Sequence, residues 1–138
     1  MEPRRGWSFY DFRNDRGENE IQTWTRGPGR AAKARMNALI RNLAVLERGF
    51  TRADSVGLLR KAGPCKEEGL IELLITIKKV QYRPIGWYGP DPRTVTLLVG
   101  ATERDGEFAP RNAGEQAVNR KRLVLRNRKQ HLVDHDYS

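Results

Sequence analysis

Gly69-Leu70-Ile71-Glu72-Leu73-Leu74-Ile75, then Tyr82-Arg83, then Val95-Thr96-Leu97-Leu98-Val99-Gly100: these segments decide the fold. In the first, the odd positions Ile71, Leu73, Ile75 and Ile77 are all apolar, while Leu70, Glu72, Leu74 and Thr76 alternate with them. A two-residue period puts one face of a strand in a core and leaves the other partly covered. Lys78-Lys79 marks the next turn, and Gly89-Pro90-Asp91-Pro92 a strong break. Between them a strand is expected from Val80 to about Tyr88, with Pro84 removing one ladder donor. Thr94–Val99 follows as the last of three strands in an antiparallel meander. Arg83 is a charge inside an apolar strand, which costs free energy unless it is paired or sits in a polar groove. That makes it a site candidate.

Outward from the meander, Trp7–Phe12 reads as a first strand. Trp7, Phe9 and Asp11 fall on one side of it, and Ser8, Tyr10 and Phe12 on the other. Asn19 is placed to cap a short helix carrying Ile21 and Trp24, which stops at Gly27-Pro28-Gly29. A longer helix is expected over Arg30–Arg48. Its stripe is Met36, Leu39, Ile40, Leu43 and Leu46, its opposite face holds Arg30, Arg41 and Arg48, and Gly49 ends it. Residues 50–68 look irregular. After the meander, Gly100–Pro110 reads as a charged loop. A final helix is expected from Pro110 to about Lys129, with a thin stripe of Ala113, Ala117 and Val124. The fold class is therefore α+β, one domain over residues 1–129 with a tail over 130–138. Its sheet should have about four strands, with helices on one face and the last helix beyond it.

At 138 residues the chain can bury a core without cross-links. Cys65 is the sole cysteine, so no internal disulfide forms, and a reducing compartment fits. No apolar run is long enough for a membrane span, and no signal-peptide core follows Arg4-Arg5. A cytoplasmic location is expected. The charge is the strongest bulk signal: 26 Lys and Arg against 17 Asp and Glu, net +9. Residues 30–52 hold six basic side chains against Glu47 alone, and residues 111–129 hold seven against Glu115 alone. Such clusters imply a polyanionic partner, most often nucleic acid.

The order of elements and the residues of the meander resemble those of the RelE/HigB-like toxins, and most closely the phage-derived HigB-like branch. Gly69-Leu70-Ile71-Glu72-Leu73 is similar to the start of their second strand, and Tyr82-Arg83 to a Tyr-Arg pair in their third. Thr96–Gly100 resembles the strand that leads to their basic catalytic loop. Phe108-Ala109-Pro110, with Ala113 and Ala117, resembles the start of their last helix. The resemblance spans roughly residues 7–125. It implies a ribosome-dependent mRNA endonuclease that needs no metal or other cofactor and is neutralised by an antitoxin protein, often of helix-turn-helix type. A ribose 2′-hydroxyl would attack the adjacent phosphate while basic groups stabilise the developing charge. The match is partial. Leu74 stands where the family often has arginine, and Ala101-Thr102 where it often has two basic residues.

Carried over residue by residue, the resemblance makes Arg83 the leading catalytic candidate. Arg104 is expected to take over the loop's basic role, with Glu103 as a base or as its partner. Lys78, Lys79, Lys61, Tyr88 and Arg122 are candidate RNA contacts. Each has a plainer reading: Arg83 an ion pair with Glu72, the lysines solubilising charges, Tyr88 or Trp87 core packing. His131 and His135 stand four apart, a metal-ligand spacing, but no third ligand is near and no metal is expected. Gly27-Pro28-Gly29-Arg30 precedes a helix, where backbone N–H groups could hold a phosphate. Two function classes stay open: a ribonuclease of the RelE/HigB type acting on RNA and ribosome, and a non-catalytic basic module that binds RNA or a protein.

Overall fold

Each of the three long apolar runs is broken once, and the breaks lie side by side across the sheet. A computed structural model describes residues 6–45, 56–58 and 69–138. The run expected as one strand over 70–77 divides into β3 (Leu70–Leu73) and β4 (Ile75–Ile77). The next divides into β5 (Val80–Tyr82) and β6 (Ile85–Tyr88), and the third into β7 (Thr94–Val99) and β8 (Thr102–Arg104). The pairing order survives each break. β3, β6 and β7 are neighbours in one sheet, and β4, β5 and β8 are neighbours in another. Backbone bonds bridge the bend: Leu73 donates to the Pro84 carbonyl at 2.9 Å, and Arg83 donates to the Ala101 carbonyl at 2.8 Å. The meander is thus present as expected, but folded across its middle into two sheets.

Two residues explain the place of the bend. Pro84 has no N–H for the ladder. Gly100 is covered by Trp24 of the first helix, so that a Cβ there would lie 2.1 Å from two indole carbons. The expected loop over 100–110 is instead a hairpin of β8 and β9 (Glu107–Ala109). Its two-residue turn is Asp105-Gly106, both at positive φ (52° and 79°), as a tight hairpin turn requires. Lys78 and Lys79 likewise form the β4–β5 turn at positive φ (50° and 69°).

The first sheet runs β10-β1-β7-β6-β3-β2, where β1 is Ser8–Phe12, β2 Val56–Leu58 and β10 Leu132–Asp134. β1 lies parallel to β7, and β10 lies antiparallel to β1. Residues 130–138, expected as a tail, pack along the edge of this sheet. They supply the end of α4 (Arg128–His131), an edge strand and two buried imidazoles.

Helices cover both faces. On one, α1 (Glu20–Arg26) and α2 (Arg30–Ala44) pack Ile21, Met36, Ile40 and Leu43 against Phe9, Ile71, Leu73, Val95 and Leu97. Asn19 caps α1 as expected, its side chain accepting from the Gln22 N–H at 2.9 Å. On the other face, α3 (Ala113–Arg126) packs Ala113, Ala117, Val118 and Val124 against Phe12, Leu70, Ile85 and Leu98. This corrects the expectation of helices on one side with the last one beyond the sheet. A sheet covered on both faces explains why every residue of β7 is buried. The stretch holding Leu46, Arg48 and Gly49 lies outside the described residues, as do Arg60, Lys61 and Cys65.

Candidate anion-binding site

The expected catalytic arginine does not face a groove. Arg83 sits at the bend between β5 and β6 and is 8 % exposed. Its guanidinium donates to the carbonyls of Ile75 at 3.4 Å and Tyr82 at 3.1 Å, and to Gln81 Oε1 at 3.0 Å. Strand register sets Glu72 opposite Ile85, two residues beyond Arg83. The Arg83 guanidinium thus ties β4 to β5 beside the bend.

The other candidates are scattered. Glu103 lies opposite Gln81, so it is one neighbour removed from Arg83. Arg104 ends β8 at the hairpin tip, 95 % exposed, with Asp105 at 4.0 Å. Lys78 and Lys79 are exposed on the β4–β5 turn, and Arg122 is exposed on α3. Tyr88 packs on Trp7, ring centroids 5.6 Å apart, at the edge of the α1–α2 core. Burial pushes its hydroxyl up to about 12.

Several cations of the C-terminal basic run have partners within the protein. Arg120 donates to the Leu98 carbonyl at 2.9 Å, lies over the Phe12 ring and approaches Glu20 at 3.9 Å. Burial lowers its pKa from the ordinary arginine value. Arg128 binds both carboxylate oxygens of Asp91, at 3.1 and 2.5 Å. The hydrogen bond from Arg128 holds the Asp91 carboxyl below its usual range. Arg111 approaches Glu107 at 3.6 Å.

The N-terminal basic run behaves differently. Helical spacing of three and four residues sets Arg30, Lys33, Asn37 and Arg41 along one side of α2, beside its core stripe. With Arg26 and Gly29 at the α1–α2 junction, and with Ala34, Tyr137 and Ser138, they line a cavity of about 520 Å³. No carboxylate side chain belongs to that lining. Among the described residues, Arg26, Arg30 and Lys33 make no ion pair within 4.0 Å, though Lys33 is near enough to Asp136 to help lower its carboxyl. Arg41 lies over the Tyr137 ring, 5.2 Å from its centre. The nearby Asp136 accepts from Gln22 and from Ser138, and the Ser138 bonds hold its carboxyl below the usual range.

Behind the cavity lies a buried polar chain. His135 Nδ1 is 2.7 Å from Asp11 Oδ1, and His135 Nε2 is 2.9 Å from Asn37 Oδ1. The second oxygen of Asp11 accepts from Asn19 at 2.9 Å. Asp11, Asn37 and His135 are all buried, so each depends on these bonds. Tyr137 closes the group, edge-on to His135 at 4.7 Å. His131 is held elsewhere, with Nδ1 2.9 Å from the Arg13 carbonyl and its ring stacked on Phe12. The two histidines therefore serve separate networks. Among the described residues no group of three or more His, Cys, Asp or Glu could hold a metal.

Sequence reasoning had weighed His135 only as a metal ligand and had not singled out Asn37. The signal was present in Asp11, a carboxylate on the same side of a buried strand as Phe9, which demands a partner. The glycine-rich entry to α2, noted for phosphate, does contribute Gly29 and Arg30 to the cavity. Among the described residues, no helix is long and apolar enough to cross a membrane. No family model, curated protein or solved structure matches this chain.

Proposed function

We propose that this chain is a basic module that binds RNA through the concave face formed by α1, α2 and the segment after β10. One observation carries the reading: Arg26, Arg30, Lys33 and Arg41 converge on one cavity whose lining holds no carboxylate side chain. Cations gathered at a concave surface focus the field and favour a phosphate backbone. The test is binding of single-stranded RNA by fluorescence anisotropy across a salt series. Affinity should fall steeply with salt, and Arg30→Ala or Lys33→Ala should each lower the magnitude of the log–log salt slope by about one. Absence of binding at low salt would overturn the reading and leave an acidic protein partner.

The second reading is the RelE/HigB-like endonuclease, acting on the ribosome and neutralised by an antitoxin. It is favoured by the order of β1, α1, α2, meander and α3, and by a hollow of about 490 Å³ at the β8–β9 hairpin whose lining includes Arg104, Arg111 and Phe108 beside the carboxylates Asp105 and Glu107. Under it, induced expression in bacteria arrests growth and produces new mRNA 5′ ends, and Arg104→Ala abolishes both.

A further inference from the structure

We infer that anion binding in the α1–α2 cavity is coupled to protonation of His135 through the amide of Asn37; this rests on the cavity being the RNA site. The argument follows from donor and acceptor counts. Asp11 is an acceptor and lies 2.7 Å from Nδ1, so that nitrogen keeps its proton whether the ring is neutral or charged. Nε2 then decides what Asn37 must offer. A neutral ring presents a lone pair at Nε2 and requires the amide N–H. A charged ring presents N–H and requires the amide oxygen. Asp11 Oδ1 stands opposite one ring nitrogen and the side-chain amide of Asn37 opposite the other; that amide can offer its oxygen to an imidazolium or its NH₂ to a neutral ring.

Asn37 also lines the cavity. Whichever end of its amide serves His135, the other end is left for the ligand. Protonation therefore does two things for an anion. It places a positive charge behind the cavity wall, and it turns the NH₂ of Asn37, rather than its oxygen, toward the cavity. Loss of the proton reverses both.

The other charged or titratable groups around the ring are few. Asp11 comes from β1, and Lys33 and Arg41 from α2, with Arg41 seated on Tyr137. Tyr137 and Asp136 come from the segment after β10, where Asp136 is already tied to Gln22 and Ser138. Imidazole is the side chain whose ordinary charge change falls between pH 5 and 8. The backbone N–H of His135 donates to the Phe9 carbonyl at 3.0 Å, which holds the backbone from which the ring projects.

The experiment uses the full chain and an oligouridylate without terminal phosphate, so that the RNA itself gains no charge over the range. Affinity is measured from pH 8.0 to 5.5 at constant ionic strength for the wild type, Asn37→Ala and His131→Gln. NMR follows the His135 imidazole in the wild type with and without saturating RNA. Wild-type affinity should rise on the order of tenfold toward pH 5.5. His131→Gln should keep that rise, and Asn37→Ala should lose most of it. Linkage is reciprocal, so RNA should raise the His135 midpoint by about one pH unit for each tenfold of coupling. RNA that binds while leaving the His135 midpoint unmoved would overturn the inference alone, as would equal pH dependence in the wild type and Asn37→Ala. No binding at any pH would overturn the RNA reading first and this coupling with it. Should Asn37→Ala fail to fold, the wild-type NMR result decides.

Discussion

Arg83 holds its charge in a place where water has been replaced by carbonyl oxygens. Its acceptors are two backbone carbonyls and the Gln81 amide. Such a residue fixes geometry, and its replacement registers as stability. Arg83→Ala should cost about 2–4 kcal/mol, from lost packing and from carbonyls left without a donor. Arg83→Met fills more of the volume, removes the cost of burying a charge and should lose less. Urea denaturation measures both. RNA affinity should survive in each folded variant, because Arg83 does not line the basic cavity. A stable Arg83→Ala protein with abolished function would return this residue to a direct role.

At the scale of elements, the bend in the meander is the feature that sets α1 against the sheet. Trp24 of α1 rests on the backbone of Gly100 and meets Tyr82 edge-on, at 6.0 Å between ring centres. A methyl group at position 100 would overlap the indole, and overpacking of this kind costs about 1–3 kcal/mol. Gly100→Ala should therefore lower the midpoint of thermal unfolding, and Trp24→Leu should recover part of the loss. An unchanged midpoint in Gly100→Ala would show that α1 can shift without cost. The same scale explains one misreading of the sequence. Asp105-Gly106 between short strand-forming runs is a strong hairpin signal, yet the surrounding charges made residues 100–110 look like a loop.

For the whole molecule, the α+β class was legible in the sequence, because periodicity changes sharply between Met36–Leu43 and Ile71–Ile77, whereas β2, the β8–β9 hairpin and β10 were not. Nor was the coverage of the second sheet face. α3 offers two alanines and two valines, a thin stripe whose small side chains pack closely but signal weakly. The cavity was half legible. Arg30 and Arg41 fell on the polar side of their helix as expected, but what faces them comes from residues more than ninety positions away. Such juxtapositions leave no local pattern. The Asp11–His135 pair is the clearest case, 124 residues apart in sequence. Removing either partner alone strands a buried polar group, so Asp11→Ala or His135→Ala should cost about 3–5 kcal/mol. The double variant should cost less than the sum of the two. Additive losses by chemical denaturation would mean that the two groups stabilise the protein independently.

The placement of β1 between β7 and β10 has a consequence for the order of events during synthesis. β1 is enclosed by β7 and β10, so a growing chain has nowhere to seat it until they emerge. Until residues 132–134 have been added, one edge of the main sheet stays open and Asp11 waits for its imidazole. Long-range pairing of this kind is slow to form and leaves strand edges available to other chains meanwhile. The main sheet can close on this side only once residues 132–134 have emerged, and a copy stalled or cut before them would carry an adhesive edge in place of a paired one.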